Sequence, residues 1–189
     1  MTAQDALAVP FTAKLTVADY LLLDRSGAFD AYAKTELIDG AVVAVNAQFS
    51  EHFTVSNRLY MRLFAACAVL DRDVEAWMEG SIGMPPHNVP QPDMFVTNTT
   101  PVSGLVDKDT VLLIVEVAST TLRTDPNRKL RLYARVGIAE YWVVDVKAQV
   151  IHQMWAPSGE AYAERRVIAF GERVESETIN GLGLETAAL

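Results

Sequence analysis

The chain is short of cysteine, of positive charge and of long apolar runs, and each shortage excludes a class of protein. A single cysteine, Cys67, permits neither an internal disulfide nor a cysteine-based zinc site, so a reducing cytoplasm is the expected setting. No stretch approaches the roughly 18 consecutive apolar residues of a membrane span, and the N-terminus lacks the basic-then-apolar order of a secretion signal. There is no H-E-x-x-H pair, P-loop, dinucleotide-binding glycine fingerprint or G-x-S-x-G, and His87 and His152 stand alone. Sixteen Lys and Arg face 24 Asp and Glu, a net charge of −8 that favours solubility and weighs against tight, non-specific nucleic-acid binding. At 189 residues, half of them hydrophobic and with no internal repeat, the chain is long enough for one domain with a substantial core.

What is present is organised around residues 111–145. Val111–Val117 is a continuous β-branched run suited to a strand buried on both faces, and alternation puts Glu116 on one face with Leu112 and Ile114. A carboxylate at the end of such a run must be paired, protonated or bound to a cation. A helix follows, with Thr124 or Asp125 as its cap, Pro126 at its first position and Gly137 as its stop. Its apolar arc holds Leu130, Leu132, Tyr133 and Val136, with Arg128, Arg131 and Arg135 opposite. Lys129 projects into the middle of the apolar arc, toward the sheet that carries Glu116. Glu140–Asp145 then forms a strand parallel to the first, since a crossover helix joins them.

Elsewhere the pattern predicts a loose arm over residues 1–15 and a single domain over 16–189. Thr16 opens a short helix with Asp19 completing a capping box. Strands on either side of Asp39-Gly40 form a hairpin, with Glu36 on the face of Lys34 and Ile38. Ser50 caps a long helix whose buried side draws on Phe53, Leu59, Tyr60, Leu63, Phe64, Cys67 and Leu70. Short strands are expected at Val74–Met78 and Ser81–Met84. The proline-rich PPHNVPQP excludes helix and central strand and leads to a strand with Asp93, Phe95 and Thr97 on one face. Residues 98–109 read as a polar loop. After Asp145 come antiparallel strands at Val150–Trp155, Tyr162–Phe170 and Arg173–Glu175, then a tail that is strand or loop. The architecture is α+β: a mixed sheet flanked by helices, with an N-terminal hairpin and a strand-rich C-terminal region.

The notable constellation is Asp93 opening one strand, Glu116 ending another and Lys129 on the next helix. Two carboxylates at a sheet edge can hold a hard divalent cation with water in its remaining positions, and an adjacent ammonium can orient water or stabilise charge on a phosphate. The same spacing is also met by surface carboxylates and a lysine whose stem lies along apolar surface. Tyr133, Tyr141 and Trp142 read as core aromatics.

PQPDMFV, LLIVEVAS, DPNRKLRLY and GIAEYWVVD, preceded by TELIDGAVV and His52, together resemble the Uma-type restriction endonuclease family of the PD-(D/E)XK nuclease superfamily. The resemblance runs from about Thr16 to Leu184. It implies a restriction-endonuclease-like core and Mg²⁺- or Mn²⁺-dependent cleavage of phosphodiester bonds in DNA. By position, Asp93 and Glu116 correspond to the metal-binding acids, and Glu36 to a hairpin glutamate that adds a ligand or positions water. The superfamily lysine two residues after the acid is Ala118 here; the Uma-type lysine falls on the next helix, at Lys129. His52 and the basic face of Arg128 and Arg131, with Arg123, are candidates to meet substrate. Asp125 is a helix cap rather than a ligand. A homodimer suits a cutter of duplex DNA. Two alternatives stay open: the same fold kept as a non-catalytic module for nucleic acid or a protein partner, and a hydrolase of smaller phosphate esters.

Overall fold

Thr16 starts the first element for the reason its side chain suggests. In the computed structural model, which describes residues 12–45, 50–70, 73–118 and 127–189, its hydroxyl accepts from the Asp19 N–H at 3.2 Å, and the Asp19 carboxylate accepts from the Thr16 N–H at 2.9 Å. This capping box opens α1, Val17–Arg25. The hairpin follows as β1, Lys34–Ile38, and β2, Ala41–Val45. Its turn needs two left-handed residues, which Asp39 at φ 50° and Gly40 at φ 80° provide. A side chain at Gly40 is also excluded by Lys14, whose Cβ would lie 2.5 Å from the added carbon. Residues 84–90 return to this hairpin: Val89 bridges Leu37, and the Asn88 side chain accepts from the Asp39 N–H at 2.6 Å. The proline-rich segment is neither helix nor central strand. These parts, Met1–Asn46 with Met84–Pro90, make one compact unit; Ala47–Gly83 with Gln91–Leu189 make a second. Residues 1–11 of the expected N-terminal arm lie outside the described residues.

The second unit carries the main sheet. It begins with α2, Ser50–Ala68; the capping side chain expected from Ser50 lies outside the described residues. The buried stripe of α2 is Val55, Leu59, Leu63 and Cys67. Phe53 and Phe64, expected on that side, are 67% and 51% exposed. Successive residues turn about 100° around a helix, so the line that repeats every fourth residue from Val55 swings both phenylalanines toward solvent.

The strands are β3 Glu75–Met78, β4 Ile82–Gly83, β5 Met94–Thr97, β6 Val106–Asp107, β7 Val111–Ala118, β8 Glu140–Asp145, β9 Val150–Ser158, β10 Ala161–Ala169, β11 Arg173–Glu175 and β12 Gly183–Glu185. The six-stranded sheet runs β10-β9-β8-β7-β5-β3, with β7 and β8 parallel and the other pairs antiparallel. The fold is thus α+β with a mixed central sheet flanked by helices. The 98–109 segment departs from a plain polar loop: β6 pairs in parallel with β4, and Val106 is buried. Val102, Leu105 and Val106 in an otherwise polar run leave no periodicity to read, and the pairing of Val106 is long-range.

On one face of β7, Leu113, Val115 and Val117 join Met94, Val96, Trp142, Val144 and the α2 stripe. The other face presents Ile114 and Glu116, opposite Phe95 on β5 and Tyr141 and Val143 on β8. The helix α3, Arg128–Arg135, covers this face, its Tyr133 ring edge-on to Tyr141 with centroids 5.1 Å apart. Asn127 precedes α3 without a side-chain cap, and Gly137 at φ 82° ends it as expected. The cap expected from Thr124 or Asp125 lies outside the described residues.

The tail is held by a buried carboxylate. Glu140 Oε1 accepts from Trp142 Nε1 and Gln153 Nε2, and Oε2 from the Ser176 and Thr178 hydroxyls and the N–H groups of Glu177 and Thr178. From the other side, Arg58 and Arg62 of α2 donate to carbonyls of Glu185, Ala187 and Ala188. No helix among the described residues is long and apolar enough to cross a membrane.

Candidate functional site

Strand register brings Asp93 and Glu116 to the same end of the β5–β7 pair. In this antiparallel pair Met94, the first residue of β5, lies opposite Val115; Asp93 directly precedes Met94 and Glu116 directly follows Val115. Asp93 is buried, and its Oδ2 accepts from the Val117 N–H at 2.7 Å. His52, buried in the first turn of α2, has Nε2 3.3 Å from the same oxygen and Nδ1 3.3 Å from the Ser56 hydroxyl one turn on. With Nε2 donating to Asp93, Nδ1 accepts from Ser56, which fixes the imidazole between two partners.

Glu116 is met from α3. Lys129 Nζ lies 2.9 Å and the Tyr133 hydroxyl 2.8 Å from its Oε1. The two donors are four residues apart, so they rise from one side of the helix. The helical projection that turned Lys129 toward the sheet describes its position. Its side chain is 26% exposed and that of Glu116 17%, so the pair sits at the margin of solvent.

Two carboxylates are the hard oxygen donors that Mg²⁺ or Mn²⁺ takes, and this donor set fits such an ion in kind. Among the described residues no group of three or more His, Cys, Asp and Glu could hold a metal ion, so water would complete the coordination. Ala118, two residues after Glu116, brings no charge.

The remaining candidates fall on several elements. Glu36 is buried in the hairpin of the first unit. Arg128 and Arg131 lie on α3, both half-buried, and Arg135 pairs with Glu160 at 2.8 Å. Arg123 and Asp125 lie outside the described residues. Tyr141 and Trp142 are core residues, as expected. Tyr133 is a core residue as well, yet its hydroxyl reaches Glu116, a link missed from sequence. The available signal was its spacing of four from Lys129 on the same arc. Cys67 offers no nucleophile, since burial pushes its thiol up to about 11.

Known proteins give this geometry a context. Residues 17–187 match the Uma2 family, described as "Putative restriction endonuclease". A crystal structure described as "a putative nuclease belonging to DUF820 from Anabaena variabilis ATCC 29413" shares the fold: the TM-score is 0.63 at 15% identity, covering 85% of this chain and 88% of that one. No curated protein matches the sequence. With a family match running from the first helix to the last strand, the chain belongs to the Uma2 family.

Proposed function

We propose that this chain is a divalent-metal-dependent nuclease that hydrolyses phosphodiester bonds in DNA, with Asp93 and Glu116 as metal ligands and Lys129 as the cationic group beside them. The observation that carries this is the Lys129 ammonium 2.9 Å from Glu116, at the end of the β5–β7 pair where Asp93 also lies. Family membership supports the reaction class.

Bound there, Mg²⁺ or Mn²⁺ supplies Lewis-acid polarisation of the phosphodiester and a coordinated water of lowered pKa. The protein's own groups prepare that chemistry. Asp93 is oriented in advance by the Val117 N–H and by His52, so His52 acts through Asp93 more readily than on substrate. Lys129 holds positive charge where a phosphate must approach and stabilises the added charge of the pentacovalent state. Arg128 and Arg131, on the same helix, are phosphate contacts that position a duplex without reading its sequence. Glu36 is carried over from the family resemblance as an additional acidic group. A homodimer working in a reducing cytoplasm completes the proposal.

The test is cleavage of supercoiled plasmid and of single-stranded oligonucleotides with and without Mg²⁺ or Mn²⁺. Metal-dependent nicking by native protein that disappears in Glu116→Ala is the expected result. Equal cutting by both proteins would mean the activity lies elsewhere. No cutting, with nucleic acid still bound, would favour the non-catalytic module. Turnover of a small aryl phosphodiester with DNA left intact would favour the small-ester hydrolase.

A further inference from the structure

Two side chains of α3 that reach Glu116 end on one oxygen and differ in nearly everything else. Lys129 Nζ and the Tyr133 hydroxyl lie 2.9 and 2.8 Å from Oε1. Lys129 is charged, flexible and partly in water. Tyr133 is neutral and 0% exposed, its ring set at 70° against Tyr141. A divalent cation at Glu116 repels an ammonium on the same carboxylate, because like charges at a few ångströms disfavour each other. It exerts no such repulsion on a phenol. Metal binding therefore weakens the Lys129 contact and spares the Tyr133 contact. A side chain at the solvent margin can swing away at small cost, whereas a ring packed on all sides cannot.

Building on the metal-site reading above, we propose that Tyr133 is the positioning residue of the site: its hydroxyl holds Glu116 Oε1 in place for the metal while Lys129 turns from Glu116 to the anionic substrate. The tyrosine is the fixed donor and the lysine the mobile one. Such outer donors to a ligating carboxylate typically contribute 10–100-fold to metal affinity.

Tyr133→Phe keeps the ring and removes the donor. Mn²⁺ binding to the full chain, followed by electron paramagnetic resonance titration, should weaken about tenfold or more in this variant, with its metal-free melting curve close to that of native protein. Lys129→Met should bind Mn²⁺ as tightly as native protein or more tightly, since a competing cation is gone. In cleavage assays Tyr133→Phe should regain most of its kcat when Mn²⁺ is raised, and Lys129→Met should not. Mn²⁺ affinity in Tyr133→Phe within about twofold of native would overturn the proposal. So would a fall in melting temperature accompanied by a loss of kcat that excess Mn²⁺ fails to restore, which would assign the hydroxyl to folding alone. Native protein that binds no Mn²⁺ would overturn the metal-site reading itself, and this inference with it.

Discussion

Lys129 shows how far one residue can be read before any fold is known. An ammonium in an apolar arc is costly unless it meets a carboxylate, and the one it meets is Glu116. The chemical consequence is testable by Lys129→Met, which retains the stem and deletes the charge. Folding should persist, and the single-turnover cleavage rate should fall by about 10²–10³-fold, the usual loss on removing one preorganised donor. Arg128→Met, one position away, should instead weaken DNA binding and lower its salt dependence by about one phosphate contact, leaving the chemical step nearly unchanged. Equal effects of the two substitutions would contradict a special role for Lys129. Tyr133 was not legible in the same way. A tyrosine on an apolar arc looks like packing, and its hydroxyl acquires meaning only through the neighbour it reaches.

At the scale of elements, local signals were faithful where the interaction is local. The α1 capping box involves atoms three residues apart and forms as its residues suggest. It also yields a pH dependence. The Asp19 carboxyl is lowered from its ordinary value of 3.8, first by the hydrogen bond from the Thr16 hydroxyl and then by that from the Thr16 N–H. A carboxyl whose folded value is depressed contributes stability above its unfolded value and loses it as pH falls through the lowered folded value. The urea midpoint of native protein should therefore exceed that of Asp19→Asn near pH 6, and the gap should close on titration well below pH 3.8. A constant gap across that range would exclude the ionised cap as its source. The long helix α2 was less legible: apolar residues on several sides of the cylinder made Phe53 and Phe64 look as buried as Leu59. The sheet accepts only the stripe that faces it.

For the second unit as a whole, the joint between sheet and tail is decisive. Glu140 on β8 gathers six hydrogen bonds, four of them from residues 176–178 to Oε2. Glu140→Gln would put an amide in place of one acceptor oxygen, turning a donor toward donors. Buried groups left without partners cost about 1–3 kcal/mol each, so the variant should lose about 3 kcal/mol or more in urea unfolding, with faster hydrogen exchange around residues 176–185. A loss below about 1 kcal/mol would mean that water replaces the carboxylate readily. From sequence, Glu140 was only the first residue of a strand, because its partners lie up to 38 positions away.

The sequence by itself determined the α+β pattern, the hairpin at Asp39-Gly40, the parallel return of β8 after α3, and the side of α3 from which Lys129 projects. Each follows from interactions within a few residues, or from the reach of a short connection. Only tertiary structure decided the β5–β7 register that sets Met94 opposite Val115, the His52 contact to Asp93, the Tyr133 contact to Glu116 and the enclosure of Glu140. Alternation along a strand says which residues share a face, but a slip in register leaves that alternation intact within each strand while changing every partner. Packing of the whole sheet against its helices selects one register, and with it the residues that meet.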